Sequence, residues 1–206
     1  MAFSNFKGIP EVMERFRIKY TESDFVTVDE TARPSAQFLH EFEFNRQHLN
    51  LFASEDSACE TVIFPILREV YKTYADGYVL WIRQSITYDE ILSGTPDYFI
   101  AAKSELGKPI VGTPLIILVE AKKNDFEQGW GQCLAELVAA QKINEDPAFP
   151  VYGIVTDGKS WEFGRLVDDV FTQNRTNFNL GNLSALFGAV DSVFKATTES
   201  QTKVGA

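Results

Sequence analysis

The sequence predicts an α/β fold, a central mixed β-sheet flanked by helices and preceded by an N-terminal extension. Three observations carry this. Segments of helical and strand periodicity follow one another as helix, three strands, helix, two strands, helix. Hydrophobic residues make up 45% of the chain and charged residues 23%, the balance of a folded domain and not of a disordered chain. At 206 residues the chain can bury one sizeable core but is too short for two large domains. It therefore reads as one domain over 1–206, with an extension at 1–50, a core at 54–166 and a closing helix at 182–196.

In the extension, Ile9, Val12, Met13 and Phe16 fall at helical spacing, with Pro10 early, where proline is tolerated. Phe25-Val26-Thr27-Val28 reads as a short strand. Between Pro34 and Asn50 the phenylalanines suit either period, and a helix is the preferred reading. Ser54 is an N-cap candidate, with Glu55 and Asp56 in the first turn, where the helix dipole favours acids. Ile63, Leu67, Val70 and Tyr74 give that helix an apolar stripe, and Asp76-Gly77 ends it. Tyr78 to Ile82 is rich in strand formers and predicts a strand continuing to Thr87. Gly94-Thr95-Pro96 is a turn, and 97–102 and 115–122 are the next two strands, separated by a bend at Gly107-Lys108-Pro109. Asp125 caps a helix over 128–144, with Gln128 three residues on. Strands at 151–156 and 160–165 flank the hairpin signal Asp157-Gly158. Leu183, Leu186, Phe187, Val190 and Phe194 form the last helix, and the polar tail from Thr197 is expected to fray.

Several classes of function are disfavoured. The longest apolar run, Pro114 to Val119, falls far short of the ~20 residues of a bilayer span. Met1 to Lys7 lacks the pattern of a secretory signal. Two cysteines, Cys59 and Cys133, are too few for a disulfide framework, so a reducing, cytoplasmic setting is expected. Nineteen Lys and Arg against twenty-nine Asp and Glu give a net charge of −10, which opposes non-specific coating of DNA but leaves room for a local basic strip. No Ser-His-Asp signature, Walker loop or dinucleotide fingerprint is present, and His40 and His48 read as structural or surface residues.

The informative segment is Pro96-Asp97 followed by Glu120-Ala121-Lys122. Side chains alternate faces along a strand, so Ile116, Leu118, Glu120 and Lys122 share one face. A lone Glu-x-Lys at a strand end usually means that the strand has reached solvent. Here Asp97 begins the preceding strand, and an antiparallel pairing of the two strands would bring Asp97 beside Glu120.

These residues resemble the PD-(D/E)xK nuclease superfamily. Pro96-Asp97 is similar to its first motif and Glu120-Ala121-Lys122 to its second. The similarity is greatest to the nuclease domain of type I restriction motor subunits and their stand-alone relatives. Glu60 to Leu67 is similar to their first core helix, Gly129-Trp130-Gly131-Gln132 to the helix after the catalytic strand, and Thr156-Asp157-Gly158 with Trp161 to the next hairpin. The resemblance covers 54–166 and implies a restriction endonuclease-like core of order αβββαβ.

What the resemblance implies is Mg²⁺-dependent hydrolysis of phosphodiester bonds, with Mn²⁺ able to substitute, by an endonuclease acting on DNA rather than RNA in restriction, defence or repair. Asp97, Glu120 and the Ala121 carbonyl would hold the ion, and Lys122 would orient or deprotonate the attacking water or stabilise developing charge. Many members add a glutamate from the first core helix. With Glu60 at 0° and 100° per residue, the apolar stripe lies at roughly 280–340° and Glu55 at roughly 220°, so Glu60 is the preferred helix acid and Glu55 the alternative. The resemblance also places a functional glutamine at Gln132, although the helical wheel turns it away from the main apolar stripe and Glu136 stands where some members carry a tyrosine. The small residues beside Gln132, with Gly131 at the stripe's edge, would let this helix approach the sheet closely. Lys123, adjoining the site, is the preferred phosphate contact, ahead of Lys103, Lys108, Lys142, Lys159 and Arg165. The chain carries no motor motif, so a motor or specificity partner, or a homodimer, is expected. The competing reading is a catalytically silent relative, a DNA-binding or interaction subunit that keeps the fold without turnover.

Overall fold

The apolar spacing at the N-terminus does form a helix in the computed structural model, which describes residues 3–28 and 31–204, with side chains to 199. Helix α1 (Ile9–Phe16) carries Pro10 in its first turn. Strand β1 (Lys19–Ser23) follows, and helix α2 (Ala36–His48) starts at Ser35, whose hydroxyl accepts the Phe38 N–H at 3.1 Å. The strand expected at 25–28 is not formed. The Phe25 and Val26 N–H groups instead donate to the Asn174 side chain at 2.8 and 3.0 Å, which satisfies backbone that a strand would have paired.

The first core helix is a continuous helical stretch in three parts, α3 (Glu55–Ala58), a π-helical turn (Cys59–Ile63) and α4 (Phe64–Tyr71). Ser54 caps it by accepting from the Ser57 N–H at 3.0 Å. The Phe64 N–H reaches back five residues to the Cys59 carbonyl, as a π turn requires. Strand β2 (Tyr78–Ile82) stops at Arg83, which adopts a left-handed conformation at φ 47°, so it does not continue to Thr87. Instead β3 (Ile86–Thr87) and β4 (Ser93–Gly94) make a separate two-stranded sheet.

Next come β5 (Tyr98–Lys103), β6 (Val111–Ala121), α5 (Phe126–Asn144), β7 (Val151–Thr156), β8 (Ser160–Val167), β9 (Val170–Asn174), β10 (Phe178–Asn179) and α6 (Leu183–Val204). Asp125 caps α5 through the Gln128 N–H at 3.0 Å. Helix α6 runs past the expected fraying point, because Thr197 is fully buried and its hydroxyl donates to the Phe194 carbonyl.

The main sheet is mixed, in the order β1-β9-β8-β7-β6-β5-β2, with β10 paired to β8. Among the described residues, β1 with β9 and β6 with β7 pair parallel and the other neighbours antiparallel. Helices cover both faces. On one, α2, the π turn, α4 and α6 pack against Ile117, Val119, Ala121 and Ile154. On the other, α5 packs against Leu115, Leu118 and Val155, and its far side is covered by Phe3, Phe6 and Val12. The extension is thus a second wall around α5, and α5 is buried from Gly129 to Ala140. Gly131 faces that wall, since a Cβ there would stand 2.5 Å from the Gly8 nitrogen. The close approach expected of this helix edge is therefore made to the N-terminal segment and not to the sheet. Among the described residues no helix is long and apolar enough to cross a membrane.

Strand β6 shifts register against β5 twice, and the second shift lies between Ala101 and Lys103, away from the site. At the first, Ala101 pairs with Leu115 but its neighbour Ile100 pairs with Ile117, so one extra residue, Ile116, bulges. From Ile117 onward alternation holds, and Leu118 and Glu120 point towards α5.

Candidate active site

The ladder between β5 and β6 positions the acids. Tyr98 pairs with Val119, and one step further Asp97 stands opposite Glu120. The Ala121 N–H donates to Asp97 Oδ2 at 2.9 Å, which locks the aspartate against the end of β6. On the other side of β6, the Lys122 N–H donates to the Thr156 carbonyl at 2.9 Å, so the parallel β7 fixes the lysine backbone. Lys122 Nζ then lies 3.2 Å from Glu120 Oε1. The structure brings Asp97, Glu120 and Lys122 together, as strand alternation and antiparallel pairing led one to expect.

Burial makes this cluster energetically costly. Glu120 is only 3% exposed, and its carboxyl is pushed up to about 7, first by burial and then by the Asp97 charge, against the pull of Lys122. Burial likewise raises Asp97, opposed by the Ala121 N–H and Lys122. Burial alone would lower the Lys122 ammonium, but Glu120, Glu55 and Asp97 outweigh it and hold it above its ordinary value. Lys122 therefore remains a cation in the midst of the acids.

Glu136 is the residue that the sequence did not reveal. It stands on α5, fully buried, facing Glu120. Burial, then the charges of Glu120 and Asp97, push its carboxyl well above the ordinary range, so it keeps its proton. Among the described residues, Glu120 Oε2 and Glu136 Oε2 are buried with no hydrogen-bond partner outside this pair, and the two carboxyls can bond each other only when one of them carries a proton. In the sequence Glu136 registers only as a departure from a glutamine–tyrosine pattern. Its burial depends on this edge of α5 packing against β6 and β7, which the helical wheel by itself does not show.

Gln132, one turn before Glu136, is buried on the same helix. Gly129 lies a further turn back, against the sheet. A Cβ there would stand 2.7 Å from Val155 Cγ1 and 3.1 Å from Lys122 Cγ, so only glycine lets α5 meet the sheet beside the lysine.

Glu60, the preferred helix acid, is exposed and its charge bears on Tyr98, whereas the charge from the first core helix that acts on Asp97, Glu120 and Lys122 is that of Glu55. Glu55 Oε2 also accepts the Lys123 N–H at 3.1 Å. The cause is the π turn, which adds a residue to the helical repeat between the two glutamates and the apolar stripe, so a uniform 100° wheel misplaces them. Lys123 itself is exposed and its Nζ donates to the Ala53 carbonyl at 2.9 Å, pinning the loop before α3. Arg83, expected inside a strand, instead turns back over the site. It pairs with Asp56 and stands 3.9 Å from Asp97 Oδ1.

The donor set suits a hard divalent cation. Mg²⁺ is commonly held by one or two carboxylates with water completing the shell, and Asp97 with the buried Glu120 Oε2 supplies such a pair. Among the described residues no three His, Cys, Asp or Glu side chains are gathered at ligand spacing, so the protein would contribute two carboxylates and main chain. Cys59 and Cys133 are buried and unpaired, and are no part of such a set. Compared with known proteins, the chain matches no protein-family model and no curated protein.

Proposed function

We propose that the protein is a metal-dependent phosphodiester hydrolase with a restriction endonuclease-like core, acting on DNA. The observation that supports this is the meeting of Asp97, Glu120 and Lys122 at one end of β5 and β6, with a buried Glu120 oxygen that has no hydrogen-bond partner outside Glu136. A bound Mg²⁺ would polarise the scissile phosphate and lower the pKa of its water. Asp97, Glu120 and the Ala121 carbonyl would hold the ion. Lys122, released from Glu120 once that charge is shared, would turn its ammonium to the attacking water or the phosphate oxygens. Glu55 would act from the helix side through Lys123 and the local field. Gln132 and the protonated Glu136 would support Glu120 from α5. A homodimer, or a motor or specificity partner, would supply target choice.

Supercoiled plasmid incubated with Mg²⁺, with Mn²⁺ and with EDTA tests this. Nicking is expected with either metal and not with EDTA. Asp97→Asn should abolish it while leaving the metal-free protein at least as stable, because the amide oxygen can still accept the Ala121 N–H. A marked fall in Tm in that variant would make Asp97 structural and remove it from the chemistry.

The net charge of −10 and Glu136 standing where the glutamine motif would carry a tyrosine favour a second reading, a nuclease-fold interaction or DNA-binding subunit without turnover. Plasmid binding without cleavage in either metal would select it. Between the two helix acids, Glu55→Gln should slow cleavage about tenfold, the usual effect of losing a supporting polar group. Glu60→Gln should leave the rate unchanged, and equal losses in both variants would contradict the placement of Glu55.

A further inference from the structure

On the helix side of β6, next to Lys122, a small cavity of about 90 Å³ opens to solvent. Its buried lining is apolar, from Ala58 and Ile63, with the half-buried ring of Phe52 beside them. Its rim is polar and of mixed charge, with Asn124, Lys122, Lys123 and Lys159 against Glu55 and Asp157. Lys159 Nζ sits 4.6 Å from the Phe52 ring centroid.

We infer that this cavity receives one unpaired nucleobase of the substrate strand, beside the phosphate held at Asp97, Glu120 and Lys122. The inference rests on the nuclease reading above. The floor is apolar apart from the Thr156 hydroxyl, which is already bonded to the Ser160 carbonyl and the Gly158 N–H, and the lysines stand at the rim and not at the bottom, as a simple anion site would require. An aromatic ring with an adjoining apolar floor accepts the face of any base, so the subsite is tolerant of sequence. The Asn124 amide offers a donor and an acceptor to a base edge. A base inside a duplex cannot enter without unstacking, which costs least where the nucleotide is mismatched or already single-stranded. The substrate class is therefore a strand with an unpaired nucleotide next to the cut.

The test uses the full chain with Mg²⁺ and one labelled strand, presented fully paired, single-stranded, or in a duplex with a mismatch scanned across the cut. The unpaired forms should be cleaved about tenfold faster or more than the paired duplex, the size of one lost base–aromatic stack. Phe52→Ala should slow the unpaired forms far more than the paired one, collapsing that ratio. Asn124→Gly, which keeps the left-handed backbone found at φ 62°, should reduce the ratio without lowering Tm, and stands in if Phe52→Ala fails to fold. Equal wild-type rates on paired and unpaired strands, or equal slowing of both by these variants, would overturn the subsite while leaving the nuclease reading intact. If the wild type cleaves nothing, the nuclease reading falls, and a single strand carrying 2-aminopurine decides the cavity. Its fluorescence should change on binding the wild type and not on binding Phe52→Ala, and no change in the wild type would overturn the subsite as well.

Discussion

Glu120→Gln is expected to remove metal-dependent cleavage and, at the same time, to raise the Tm of the metal-free protein at pH 8. The loss follows from removing the carboxylate that carries the buried oxygen with no partner outside Glu136. The gain follows from linkage. The Glu120 carboxyl titrates near 7 in the fold against an ordinary value of 4.5, so folding favours its protonated form. The stability this provides is fully present below pH 4.5 and is lost as pH rises through about 7. Metal-free wild type should therefore lose Tm between pH 5 and pH 8, by about 5 °C for a chain of this size. Glutamine, neutral throughout, should flatten that profile and relieve Glu136 and Asp97 of the neighbouring charge. Saturating Mg²⁺ should flatten the wild-type profile too. Thermal melts across pH, with EDTA and with Mg²⁺, check both statements. An unchanged profile in Glu120→Gln would mean that Glu120 does not bear the burial cost assigned to it.

Gly129→Val should cost both stability and activity. Two effects oppose each other when a helical glycine gains a side chain. Leaving glycine gains helix propensity of less than about 1 kcal/mol, least for a β-branched residue such as valine. Against it stands overpacking, typically about 1–3 kcal/mol, and here the added Cβ would overlap Val155 Cγ1 at 2.7 Å before the valine methyls are counted. Overpacking wins, and a Tm lowered by about 5 °C is expected. The same side chain presses on the Lys122 stem, which should separate Nζ from Glu120 and slow cleavage more than the lost stability explains. Rates measured well below the melting temperature separate the two effects. A variant that melts and cleaves like wild type would show that α5 does not fix Lys122.

The strands and helices that could be read in the sequence are those whose signal is local. The caps at Ser54 and Asp125 lie within a few residues of the helices they start, and β5 and β6 carry continuous apolar runs. Pairing those two strands needs only antiparallel neighbours, and that alone brought Asp97 to Glu120. Strand β1 escaped because Lys19–Ser23 is polar and mostly exposed, and it pairs with β9 about 150 residues later. The π turn escaped because the β-branched run Thr61-Val62-Ile63 lowers helix propensity without saying how the helix is distorted, and its effect is to turn Glu55 and Glu60 relative to the apolar stripe. Glu136 escaped because a glutamate opposite an apolar stripe is normally solvated. It is a buried acid because the edge of α5 that carries it, with Gly129 seven residues before, packs on the sheet opposite Glu120.

Crystals grown with Mn²⁺ decide whether the carboxylates meet a cation. Anomalous diffraction should give a peak bonded to Asp97 and Glu120 with the Ala121 carbonyl, and Lys122 turned away from Glu120. Mn²⁺ bound elsewhere on the chain, or an unaltered Lys122–Glu120 pair in crystals saturated with the metal, would contradict the assignment of Asp97 and Glu120 as its ligands.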